Sequence, residues 1–151
     1  MASRRRAREF ALQILYRMDL ASVEPEKALS GLWAGQLDDD GLSNRPAEAP
    51  EIEFTRRLVL GFSKQHAEVD ALIEKASVNW RLLRMPVVDR NILRLASFEL
   101  LACPDIPASV SINEAVELAK RFGDQDSRAF INGILDRIAM ETGRGGRNKR
   151  R

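Results

Sequence analysis

Cysteine, histidine and tyrosine each occur once in the 151 residues, and these scarcities remove most catalytic chemistry. Cys103 alone allows no internal disulfide, which fits a reducing compartment, and the cytoplasm is the expected location. One histidine, His66, and one cysteine make none of the usual zinc sites, so no metal is expected. His66 is expected at a surface or helix-end position, and Cys103 as a small buried residue beside Pro104. No phosphate loop or dinucleotide fingerprint occurs, and no cofactor is expected. No apolar run approaches the roughly 20 residues that cross a bilayer. Arg8, Glu9 and Gln13 interrupt the N-terminal segment, so neither a secretory signal nor a membrane partner is expected. These absences point away from an enzyme.

Glycine and proline are also sparse outside two segments, while Ala, Leu, Arg and Glu are abundant. Good helix formers in that excess lean the chain towards an all-α fold. Its length suits one compact domain. The net charge of +2 hides an uneven distribution. Arg4, Arg5, Arg6 and Arg8 open the chain without an acid among them. Arg144, Arg147, Lys149, Arg150 and Arg151 close it in the same way. Those nine leave 15 of the 24 basic residues for the body, against all 22 acids. Basic ends suit a polyanion, and an acidic body suits a basic protein.

Periodicity predicts about seven helices and no strand. Ala7, Phe10, Ala11, Ile14 and Met18 recur at helical spacing over roughly 4–22, with Ser3 as N-cap. A second helix over 25–37 begins with Pro25 at its first turn. Residues 38–50 hold an acid run, a glycine and two prolines, and are expected as a flexible loop. Further helices are expected at 51–65 and 67–77, then an apolar connection ending at Pro86. A strong apolar stripe covers 87–102, stopped by Pro104 and Pro107. Ser111 and Glu114 form a capping box opening the next helix, which Gly123 closes. The last helix is expected over 126–141, followed by a basic disordered tail at 144–151. The domain is therefore expected to run over 1–143.

Among the candidate groups, the arginine cluster carries the clearest chemistry. Guanidinium forks pair with phosphate oxygens, and each neutralised phosphate releases counterions. Arg5 and Tyr16 fall about 20° apart on a helical wheel and three turns apart along the axis. That places a phosphate clamp and a stacking ring on one side, as single-stranded RNA recognition requires. The alternative packs Tyr16 in the core and leaves the arginines merely solvated; spacing alone does not separate the two. Asp124 and Asp126 stand at a helix start, where capping is the expected role. A helix N-terminus there is also a seat for phosphate. Gly133, inside a helix, is expected to mark the close approach of another helix. No two-helix unit has the short turn and basic second helix of helix-turn-helix DNA recognition.

Three blocks, in order, carry a family resemblance. They are RRRAREFALQILY at 4–16, VVDRNILRLASFEL at 87–100, and PASVSINEAVELAKRFGDQDSRAFINGILDRIA at 107–139. INEAVELAK followed by DS-x-x-FINGILD is the most specific. Together they resemble the NusB family of bacterial transcription antitermination factors over nearly the whole chain. The resemblance implies an all-α fold of about seven helices in two small bundles packed together, with the first helix central. It implies a non-catalytic scaffold that binds boxA-type single-stranded RNA of ribosomal RNA operons together with the ribosomal protein NusE. Contact with the transcribing RNA polymerase complex would be indirect. The implied RNA-binding residues are Arg4, Arg5, Arg6, Arg8, Tyr16, Asp126 and Phe130, and the implied protein-partner residue is Asp89. Residues 38–50 and the basic tail depart from the family pattern, and no role transfers to them.

Overall fold

A computed structural model describes residues 2–36, 46–78 and 80–144. Among these residues there are seven α-helices and no strand: α1 (Arg4–Ala21), α2 (Pro25–Gly31), α3 (Ala49–Lys64), α4 (His66–Ala76), α5 (Val87–Ala102), α6 (Ala108–Phe122) and α7 (Ser127–Glu141). A wider π-helical turn, Leu32–Gln36, continues α2, and a 3₁₀ turn, Leu82–Arg84, precedes α5. The helices divide into two compact units, residues 1–64 and residues 65–151. Residues 37–45 of the expected loop and residues 145–151 of the expected tail lie outside the described residues.

In the first unit α1 packs on α2 and α3. Ser3 starts α1 in extended backbone, its hydroxyl accepting the Arg6 N–H at 3.1 Å. Ser22, in left-handed backbone, ends it by donating its N–H to the Met18 carbonyl. Ala7, Phe10, Ala11, Ile14 and Leu15 of α1 are buried, as are Leu29 of α2 and Phe54, Leu58, Val59 and Phe62 of α3. The Phe10 and Trp33 rings meet edge to face at 5.6 Å. Aromatic pairs of that kind add about 0.5–1.5 kcal/mol beyond area burial.

In the second unit α5 packs against α4, α6 and α7. Every residue from Asp89 to Leu100 is buried, so this helix is covered on all sides. Its bounds match the expected 87–102, because Pro86 and Pro104 bracket it and neither is tolerated inside a helix. Cys103, fully buried, is its C-cap. His66 sits at the start of α4, half exposed, against Asp70 at 3.0 Å.

Two expected local features resolve differently. Pro107 precedes α6 and starts it at Ala108, three residues before the expected box. Ser111 therefore falls inside the helix, and its buried hydroxyl donates to Glu99 of α5 at 2.6 Å. It cross-links two helices rather than capping one. Gly133 meets no helix: a methyl group built there would touch nothing within 4 Å. The tight glycine is Gly123, where a methyl group would stand 2.6 Å from Ser127 Oγ and 2.9 Å from the Ala119 carbonyl.

Candidate nucleic-acid interface

The first turn of α1 is held by one buried carboxylate. Glu51, 1% exposed, accepts the Ser3 N–H at 2.9 Å and the Glu48 N–H at 2.9 Å. It also accepts a charge-assisted hydrogen bond from Arg6 Nη1 at 3.1 Å. Arg6 further donates to the Pro46 carbonyl and lies over the Phe10 ring. Four residues along α3, the Thr55 hydroxyl donates to the Glu51 and Ala7 carbonyls. These bonds tie the start of α1 to the start of α3. A buried carboxylate with several donors is a strong, costly-to-break node.

That node sorts the four arginines. Arg6 and Arg8 are buried, and Arg8 lies against the Phe54 ring at 5.3 Å. Their charges are engaged inside the unit. Arg4 and Arg5 are exposed. The Arg4 guanidinium lies over Phe54 at 4.3 Å from the ring centre, and Arg57, one turn further along α3, approaches the same ring at 6.0 Å. Tyr16 is 41% exposed, which decides between the two readings of that residue: it is not in the core. Arg5 and Tyr16 thus share an accessible side of α1, about 16 Å apart along its axis at 1.5 Å per residue.

In the second unit the entrance to α7 is built around Ser127. Ser127 is buried, accepts the Asp124 N–H at 2.9 Å and donates to Asp89 Oδ1 at 2.7 Å. Asp126 occupies the N-cap position but makes no side-chain capping bond, and its side chain is exposed. The expected capping role therefore falls away, and Asp126 faces solvent as an acceptor. Asp89 was expected on a partner-facing surface. Instead it is 5% exposed, with its carboxylate turned to Ser127. Burial pushes its pKa above the ordinary carboxylate value, against the lowering effect of the Ser127 hydrogen bond, and the nearby Asp124 charge adds to the rise.

Phe130, four residues into α7, is half-buried and meets Trp80 edge to face at 6.0 Å. Trp80 is 49% exposed. The two rings line an open cleft of about 240 Å³ that also borders Gly133. An absent side chain at Gly133 leaves that cleft open, which is what the glycine does in place of helix packing. No cluster of potential metal ligands occurs among the described residues, and no helix there is long and apolar enough to cross a membrane.

The NusB family model matches residues 5–140. The chain belongs to the NusB family. Among its NusB relatives is the transcription antitermination protein NusB of Myxococcus xanthus, 48% identical over 140 residues, covering 93% of this chain and 96% of the relative. That of Sorangium cellulosum is 40% identical over 149 residues, covering 99% and 100%. The solved structure of T. maritima NusB superposes with a TM-score of 0.82 at 36% identity, covering 99% of each chain. A crystal structure of the antitermination factors NusB and NusE in complex with dsRNA matches with a TM-score of 0.75 at 27% identity, covering 91% and 96%. NusB membership bears out the all-α expectation and carries a non-catalytic role in transcription antitermination.

Three functional candidates escaped the sequence pattern. Glu51 and Arg57 lie on a helix whose apolar stripe drew attention instead, and Trp80 sits in a connection between helices. The FTRR run at 54–57 holds an aromatic and an arginine at i, i+3, a legible signal for neighbours on one helix face.

Proposed function

We propose that this protein is a transcription antitermination factor that binds boxA-type single-stranded RNA of ribosomal RNA operons together with the ribosomal protein NusE. It acts in the cytoplasm as a scaffold, and its link to the RNA polymerase complex runs through those partners. The observation that carries the reading is the accessible side of α1, where Arg5 and Tyr16 stay exposed while Arg6 and Arg8 are engaged internally. Arginine there neutralises backbone phosphate, and tyrosine offers a ring for a splayed base. Arg4 belongs to the same contact set. Arg6 and Arg8 serve it by holding the first turn in place.

In the second unit, Phe130 with Trp80 provides a further stacking surface, and Asp126 an exposed acceptor for base N–H groups. Asp89 enters the partner contact by holding the α7 entrance through Ser127, not by offering its own carboxylate. The family relationship supports the pairing with NusE, since the matched complex contains both proteins and RNA.

The test is a mobility-shift titration with boxA-type RNA and a scrambled RNA of equal length, each with and without NusE, across a salt series. The reading expects tighter binding of boxA, and a further gain when NusE is present. Equal affinity for the scrambled strand removes sequence-specific recognition, and no gain with NusE removes the cooperative scaffold.

A further inference from the structure

We propose that Arg4 and Arg57, flanking the Phe54 ring beside the first turns of α1 and α3, form a seat for a backbone phosphate of single-stranded RNA. The inference rests on the RNA-binding reading and adds a residue, Arg57, that neither sequence pattern nor family resemblance assigned. Both arginines line a cleft of about 370 Å³, whose walls also include Ser3, Glu51, Glu53 and Phe54. That volume is more than tenfold the ~30 Å³ share of a liquid water molecule, which leaves room for a phosphate.

Four features select a phosphate over a base or an apolar group. First, the Phe54 side is already covered: Arg4 lies over the ring at 4.3 Å, and the residue is buried. A base has no free ring to stack on. Second, guanidinium groups held against an aromatic face are pre-organised, so less rotamer freedom is lost when they bind an oxyanion. Third, the cleft lies at the N-terminal ends of α1 and α3, where the helix dipoles favour a negative charge. Fourth, the Glu51 carboxylate on the wall is engaged by Ser3, Glu48 and Arg6. Its charge is balanced by those donors. Glu53 is the opposing group: it is exposed on the same wall and works against an anion.

The experiment measures affinity for a fluorescent boxA-type single-stranded RNA by anisotropy, from low to physiological salt, on the full chain. Four proteins are compared with the wild type: Arg57→Ala, Lys64→Ala, Glu53→Gln and the pair Arg5→Ala/Tyr16→Ala. Lys64 lies seven residues further along α3 and is exposed, so it controls for loss of any charge from that helix. The seat predicts that Arg57→Ala binds about five- to tenfold more weakly at low salt and lowers the log–log salt slope by about 0.7, the value for one single-strand phosphate. Lys64→Ala stays within about twofold. Glu53→Gln binds about two- to threefold more tightly, because a repelling charge is gone. If Arg57→Ala loses helicity by circular dichroism, Glu53→Gln decides alone, and unchanged or weaker binding overturns the seat. If Arg57→Ala and Lys64→Ala behave alike, the seat is overturned. Weakening by Arg5→Ala/Tyr16→Ala in that case leaves the broader RNA reading standing. If the wild type binds no RNA, both fall together.

Discussion

Arg90 and Arg94 of α5 and Arg4 and Arg5 of α1 are the same residue type in the same kind of helix, but they end on different things. Arg90 is buried and donates to the carbonyls of Leu82, Leu83 and Met85, tying down the 3₁₀ turn before its own helix. Arg94 is buried and forms a two-pronged fork on Asp70, at 2.9 and 3.0 Å, with a further bond to Asn91. Arg4 and Arg5 remain exposed. The difference lies in what the fold supplies nearby. Where a carboxylate or a row of carbonyls is folded over the guanidinium and buries it, the charge holds structure; where the guanidinium stays exposed, an outside polyanion can reach it. Counting arginines therefore says little about binding until their partners are known.

The comparison can be broken at several points. Arg94→Ala removes the two-pronged fork from the partly buried Asp70 and a donor from the fully buried Asn91 Oδ1, and should cost ~2–4 kcal/mol, seen as a lower urea midpoint at unchanged slope. RNA affinity per folded molecule should hold. Glu51→Ala should cost ~2–3 kcal/mol, because Arg6 and two backbone N–H groups lose a buried acceptor. Unlike Arg94→Ala, it should also weaken RNA binding, since the first turn of α1 loses its anchor. If Glu51→Ala leaves RNA affinity intact, the first turn needs no such support.

Gly123→Ala should destabilise by ~1–3 kcal/mol through overpacking against Ser127 and the Ala119 carbonyl, and Gly133→Ala should be neutral or stabilising by up to ~1 kcal/mol. Thermal melts of the two variants sharpen the contrast between the two glycines. The smallest effect concerns Asp89. A carboxyl whose folded pKa lies above its unfolded value adds stability below the unfolded pKa and loses it as pH rises through the folded one. Wild-type stability should therefore carry a falling component from about pH 4 upward. Asp89→Asn, which can still accept from Ser127, should flatten that component in urea titrations at stepped pH. An unchanged pH profile would contradict the burial of that charge.

Much of the helical layout is legible in the sequence, for physical reasons visible in particular residues. Pro86 and Pro104 bracket a continuous apolar stripe, so both ends of α5 follow from backbone chemistry. The Ser3 cap of α1 follows equally well. Misplaced features share a different cause. Ser111 has the spacing of a capping box, but Pro107 starts the helix earlier and turns that serine towards Glu99. Gly133 looks like a packing site, yet its open side is set by neighbours distant in sequence. The site was legible in part. Arg5 and Tyr16 share a face by helical arithmetic alone, but their exposure depends on what packs around α1. The internal engagement of Arg6 depends on Glu51, 45 residues away, and no local pattern records that pairing.

The most direct test sets the two kinds of residue side by side in one experiment. Arg5→Ala/Tyr16→Ala and Arg94→Ala are each assayed for boxA-type RNA affinity and for urea stability under one buffer. The account predicts that the α1 pair loses about ten- to a hundredfold in affinity with stability changed by less than ~0.5 kcal/mol. Arg94→Ala does the reverse. Unchanged RNA affinity in the α1 pair, with the protein folded, would contradict the account.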